Sequence, residues 1–187
     1  MMMRTTMSRR TRDDESRSEE EKTHMAFAGN VDELALLQTV RLKESVTAPA
    51  LAAQLGVTES SAQAALTALV EMGRATDDAG AVSLTDAGLA ELENQLDAER
   101  VSIDEFLFAE VVERFEPLDA EFADAEGDAE KLADLDRRAE GVFDDVSAYV
   151  PRLARYQELL SGAVDDPDAY AVVWSELRQE ILSAAAN

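Results

Sequence analysis

Between Thr58 and Met72 the chain reads TESSAQAALTALVEM. This places Thr58, Ser60, Ser61, Gln63 and Thr67, with Glu59 and Ala64, along the outer face of a helix. Serine, threonine and glutamine can hydrogen-bond to base edges in a DNA groove, and glutamine can pair with adenine. Arg41, Lys43 and Arg74 are the only basic residues between positions 31 and 99, which makes them the candidate phosphate contacts. Arg74, directly after the helix, is the best placed of the three. No Lys or Arg occurs between Thr58 and Met72, and affinity for DNA scales with the phosphates neutralised. Other chemistry has less support. The only histidine is His24, outside the folded region, and there is no cysteine. A Ser/His/Asp set, a His- or Cys-based metal site and a thiol nucleophile are therefore excluded from the fold, and no glycine-rich phosphate loop occurs. Glu176 and Glu180 stand one helical turn apart, but among 40 acidic residues such pairs arise by chance. The plainer expectation makes Trp174 a core aromatic and Glu176 a surface acid. Asp144-Asp145 and Asp165-Asp166 lack the spacing of a calcium loop. Neither an enzyme nor a cofactor is expected.

The elements that hold these residues follow from periodicity and caps. A helix is expected from Val31 to Glu44, capped by Asn30, with Leu34, Leu37 and Val40 on one face. Pro49 suits the first turn of a second helix carrying Leu51 and Leu55. Gly56 and Val57 turn the chain into the third helix, capped by Thr58 and ended at Gly73. Arg74–Asp77, a turn at Asp78-Ala79-Gly80 and Ala81–Leu84 make a two-stranded hairpin. Thr85 caps the next helix, which carries Leu89, Leu92 and Leu96. From Ser102 the chain reads as helix throughout. Pro117 is expected to kink or split the segment from Ile103 to Phe122, and a loop is expected over Asp124–Glu130. Leu132, Leu135, Ala139, Val142, Val146 and Tyr149 form a heptad-like stripe, more often an internal core than a dimer seam. Pro151 starts a short helix reaching Leu160. Tyr170, Trp174, Leu177 and Ile181 lie on one face of the last.

Composition agrees with a helical protein. Hydrophobic residues make up 46% of 187 positions but aromatics only 5%, so the core must rest on Ala, Leu and Val. No run is long and apolar enough for a membrane span, and no signal peptide is evident, so no membrane and a cytoplasmic location are expected. The formal net charge is −23. It is spread as 0 over residues 1–30, −9 over 31–99 and −14 over 100–187. Arginine outnumbers lysine by 14 to 3. This balance resembles that of proteins from salt-in haloarchaea, where a Debye length of roughly 3 Å at molar salt screens the self-repulsion. Residues 1–29 are expected to be a disordered charged tail. Its six basic residues, Arg9, Arg10 and Arg12 among them, are offset by six acids. The methionines at positions 1, 2, 3, 7 and 25 leave the start codon open.

Residues 47–88 resemble the MarR-type winged helix family. The resemblance rests on Ala52-Ala53, Leu55-Gly56-Val57-Thr58, Leu66-x-x-Leu69, Gly73 and the exit Ser83-Leu84-Thr85-Asp86-Ala87-Gly88. It implies a winged helix-turn-helix over residues 30–99 whose third helix enters the major groove while the hairpin lies on the backbone. Glu113-Arg114-Phe115-x-Pro117-Leu118 and Tyr170-x-x-Val173-Trp174-x-Glu176-Leu177 resemble a helical domain that follows a winged helix in certain actinobacterial proteins. Some of those carry a pyruvate phosphate dikinase-like enzyme. This chain departs from that pattern at Ala171 and Arg178, where histidines are usual. Together these imply a mostly α protein with an antiparallel helical bundle over residues 100–187. The leading expectation is a homodimeric transcriptional regulator, of halophilic type, bound to double-stranded DNA through Thr58, Ser60, Ser61, Gln63, Thr67, Arg74, Arg41 and Lys43. The alternative is a regulatory module that binds no DNA. It would act on a protein partner through the C-terminal helices, for instance on a phosphoenolpyruvate-utilising enzyme.

Overall fold

The computed structural model describes residues 27–186. The tail expected over residues 1–29, including Arg9, Arg10, Arg12 and His24, lies outside the described residues up to position 26. The described chain is mostly helical, with one two-stranded antiparallel sheet. Helices α1 (Glu33–Lys43), α2 (Ala48–Leu55) and α3 (Glu59–Glu71) are followed by strands β1 (Ala75–Asp78) and β2 (Ala81–Leu84). Then come α4 (Asp86–Ser102), α5 (Glu105–Ala125), α6 (Ala129–Tyr149), α7 (Arg155–Ala163) and α8 (Pro167–Ala185). Among the described residues, no helix is long and apolar enough to cross a membrane.

Short polar side chains start nearly every helix. Thr58 Oγ1 accepts from the Ser61 amide at 3.1 Å and Thr85 Oγ1 from the Gly88 amide at 3.2 Å, each satisfying one orphan donor of a first turn. The first helix begins later than its sequence predicts. Asp32, not Asn30, is the cap and accepts from the Ala35 amide at 2.7 Å. Asn30 instead closes a separate 3-10 turn, Ala28–Asn30, with φ of 55°. The hairpin turn is also tighter than expected. Asp78 pairs directly with Ala81, so only Ala79 and Gly80 form the turn, both with positive φ, as the right-handed twist of a two-residue hairpin requires.

The glycine of the β2–α4 exit has a specific cause. A Cβ on Gly88 would collide with the Arg74 carbonyl oxygen. Thr85 meanwhile donates to the Gly73 carbonyl at 2.7 Å, and its amide donates to Arg74 O at 3.0 Å. The run Leu84-Thr85-x-x-Gly88 thus clamps the end of α3 onto the start of α4.

Two separate apolar cores form. Leu36, Leu37, Val40, Leu51, Leu66, Leu69, Val82, Leu92 and Leu96 belong to the first. Phe108, Phe115, Leu132, Leu135, Phe143, Leu153, Tyr170, Trp174 and Ile181 belong to the second. Helix α4 runs unbroken through the expected division at residues 99 and 100, and the change of core falls between Leu96 and Ile103. Trp174 is the centre of the second core, with Phe122 stacked at 5.0 Å and Phe115 at 5.7 Å between ring centroids. Its indole N–H donates to Asp119 at 3.0 Å, which satisfies the one polar atom it buries. The stripe on α6 also faces this core, with Phe143 rather than Val142 fully buried. Helix α5 does not split at Pro117. Proline removes a single backbone bond, and Phe115 and Leu118, buried on either side, hold both halves on the same core.

Candidate functional site

Helix α3 presents Ser60, Gln63, Ala64 and Thr67 to solvent, because Ala62, Ala65, Leu66 and Leu69 bury the opposite face. Gln63 Nε2 donates to Thr67 Oγ1 at 3.3 Å, so this row is already weakly self-bonded. Thr58 and Ser61 are not free. Thr58 Oγ1 donates to Ser61 Oγ at 2.9 Å, and the turn at Ala28–Asn30 sits against Ser61, leaving no room for a Cβ on Gly29. A cleft of about 110 Å³ separates α3 from the hairpin. Leu66, Val70 and Val82 line it, with Gln63, Thr67, Glu71 and Asp77 among its polar residues. Glu59, Glu71, Asp77 and Asp78 are all exposed on these elements.

The three candidate cations do not form a stripe beside this row. Arg74 turns toward α1 and α4, where it pairs with Glu33 and, at 3.7 Å, with Glu91. Lys43 sits at the other end of α1, about 15 Å away along the axis from Glu33. Its ammonium contacts Glu176 Oε1 at 2.7 Å. Arg41 remains exposed, and its Nε donates to Gln38 Oε1 at 2.8 Å.

Lys43 belongs to a polar seam that joins the two cores, and this seam is where the sequence reading fails. Glu176, expected on the surface, is buried at 6% exposure, and Glu180 is buried at 2%. Glu176 accepts from Lys43 and, at 3.1 Å, from Gln54 Nε2 of α2. Glu180 accepts from Gln38 Nε2 of α1 at 3.0 Å, from Arg152 Nη1 at 2.6 Å and from the Tyr156 hydroxyl at 3.4 Å. Arg152 also grips Glu99 of α4 through Nε and Nη2, at 2.8 and 2.9 Å, in the two-point geometry only arginine offers. Beside them, Arg155 of α7 donates to the Ala53 and Gln54 carbonyls, capping the end of α2. Gly56 allows this twice over: its φ of 67° turns the chain, and a Cβ would press on the Arg155 guanidinium.

The seam satisfies its own costs. Among the described residues no buried side-chain nitrogen or oxygen lacks a hydrogen-bond partner. Burial works against the Arg152 charge, but its bonds to Glu99 and the charges of Glu180 and Glu99 outweigh that, so the guanidinium is held above its usual value. Burial first, then the negative charges of Glu180 and Glu176, pushes the Tyr156 hydroxyl up, keeping it a neutral donor. The arrangement is a bonded joint between the two cores. Elsewhere, Asp136 at the rim of the second core is raised by burial, partly offset by the bond from Tyr170. No group of three His, Cys, Asp or Glu among the described residues is arranged to hold a metal ion.

In comparisons with known proteins, no family model, no curated protein and no solved structure matches the chain.

Proposed function

We propose that the chain is a winged-helix regulatory module with a C-terminal helical bundle, working through protein contacts rather than by gripping duplex DNA. The observation that carries this reading is the fate of the cations. Lys43 is paired in the seam, Arg74 is paired with Glu33 and Glu91, and α3 with β1 carries only acidic charge on its exposed side. Even if Arg41, Lys43 and Arg74 were all released to phosphate, three contacts would lose roughly 500-fold in affinity for each tenfold rise in salt. The partner class comes from the second resemblance, which points to a phosphoenolpyruvate-utilising enzyme.

One observation favours the rival reading, a dimeric DNA-binding regulator. Ser60, Gln63 and Thr67 stand exposed in a row on α3, where base edges would lie if the helix entered a major groove. The deciding experiment is a titration of the purified chain with duplex DNA from upstream of its own gene, in about 0.5–3 M KCl to suit a halophilic composition. The protein-contact reading expects no sequence-selective saturation by folded protein. Selective binding that weakens with salt and disappears in Arg74→Glu would establish the regulator instead.

A further inference from the structure

At the α4–α5 corner and on the neighbouring end of α8, four large apolar side chains are left out of both cores. Val101 is 88% exposed and Phe106 82%, with Leu107 and Leu182 each at 47%. Phe106 is exceptional in this chain, since its other five phenylalanines are buried or half-buried. Next to it, between the corner and the end of α8, runs a groove of about 310 Å³ whose apolar lining is Ile103, Phe108, Ala109, Ala184 and Ala185. Exposed apolar surface next to an apolar groove marks a contact site for another macromolecule.

The charges around the patch select the occupant. Arg100, at the groove edge, is fully engaged: it donates to Glu93, Asp97 and the Ser183 carbonyl. What remains outward around the corner without an ion-pair partner is acidic, namely Asp104, Glu105 and Glu110, while Glu93 and Asp97 share Arg100. A second copy of the chain would set the same acidic rim against this one, with Arg100 already engaged on both sides. A segment with an apolar face flanked by Lys or Arg would satisfy both the groove and its rim. We infer that the α4–α5 corner is a docking site for a basic amphipathic helix of a partner protein. The apolar face of that helix would cover Phe106 and Val101 and fill the groove beside them. This site is separate from the α3–hairpin face, so it stands whichever way the DNA titration falls.

The test uses the full chain and two labelled synthetic helical peptides with identical leucine faces, one flanked by lysines and one by glutamates. Fluorescence anisotropy should show saturable binding of the lysine peptide to the wild type. Binding should be weaker by about tenfold or more in Phe106→Ser and in Val101→Ser, neither of which alters charge. The glutamate peptide should not bind. Circular dichroism should show both variants folded, since both side chains already face water. Equal binding of the lysine peptide to wild type and variants would overturn the proposal, because attraction to net negative charge alone would explain it. Equal binding of the two peptides would overturn the choice of a basic partner. Self-association of the wild type in sedimentation, abolished by Phe106→Ser, would assign the patch to a second copy.

Discussion

The seam and the α3–hairpin face are both rich in charged and polar groups, and they treat them in opposite ways. In the seam, Glu99, Glu176 and Glu180 meet Lys43, Arg152, Gln38, Gln54 and Tyr156, and every buried polar atom there has a partner. On α3 and β1, Glu59, Glu71, Asp77 and Asp78 face solvent, and the nearest arginine turns away from them. The chain has 17 basic residues against 40 acidic ones, so cations are the scarce component. Their placement follows from the cost of burial. A buried carboxylate without a partner is far more expensive than an exposed one, so Lys43 and Arg152 lie where acids are buried. An exposed acid is tolerated, above all when salt screens it. What this contrast teaches is that net charge says little about a surface until the internal ion pairs are subtracted.

The contrast can be broken from the seam side first. Arg152→Met should cost about 3–5 kcal/mol, because Glu99 and Glu180 would stay largely buried without their cation. Denaturant unfolding in high KCl measures this. A loss under about 1 kcal/mol would mean that the seam is open to water.

A smaller effect is expected at Asp136. Its folded-state carboxyl is raised by burial, so the native state holds its proton to higher pH than the unfolded state does. The sign follows: stability from this group is present below the ordinary carboxylate range and is lost as pH rises through the raised value. Asp136→Asn should therefore flatten that part of the stability–pH curve. At neutral pH it should be no less stable than the wild type, within about 1 kcal/mol, as thermal melts across pH would record.

The smallest stability change, and the sharpest functional one, is expected on the α3–hairpin face. Glu71→Lys with Asp78→Lys should alter stability by no more than about 0.5 kcal/mol, since both side chains are exposed and, unlike Asp77, which accepts the Gly80 amide, neither holds a turn. The same pair should create measurable affinity for duplex DNA, with each new phosphate contact adding roughly 0.9 to the steepness of its salt dependence. If the doubly substituted chain gains no affinity, acidic charge is not what keeps this face off DNA.

Local signals were legible in the sequence, and long-range polar pairing was not. The 3-4-3 spacing of Tyr170, Trp174, Leu177 and Ile181 identifies the buried face of α8, and all four are buried. Thr58 and Thr85 show as caps because a cap and its donor lie three residues apart. Glu176 and Glu180 escaped because their partners are far away in sequence. Gln54 is 122 positions from Glu176 and Gln38 is 142 from Glu180, and no local rule reaches that far. One trace exists: Gln38 and Gln54 interrupt otherwise apolar helix faces and are buried there, so each needs a partner. Asn30 and Asp32 are both good capping residue types, so residue type alone does not choose between them. The 3-10 turn packed on α3, which decides between them, is a tertiary feature. Among the expected DNA contacts, Ser60, Gln63 and Thr67 share the exposed side of α3. The positions of Lys43 and Arg74 depend on acids elsewhere in the chain, which the sequence does not place.

The withdrawal of Lys43 into the seam is tested most directly by a double-mutant cycle on Lys43 and Glu176. Lys43→Met, Glu176→Gln and the double variant would be unfolded by denaturant at two KCl concentrations. The pair is mostly shielded, with side-chain exposures of 25% and 8%. A coupling energy of about 1–3 kcal/mol is predicted, changing little with salt. Additive effects, with coupling below about 0.5 kcal/mol, would contradict the account. They would return Lys43 to the surface, where it could serve as a phosphate contact.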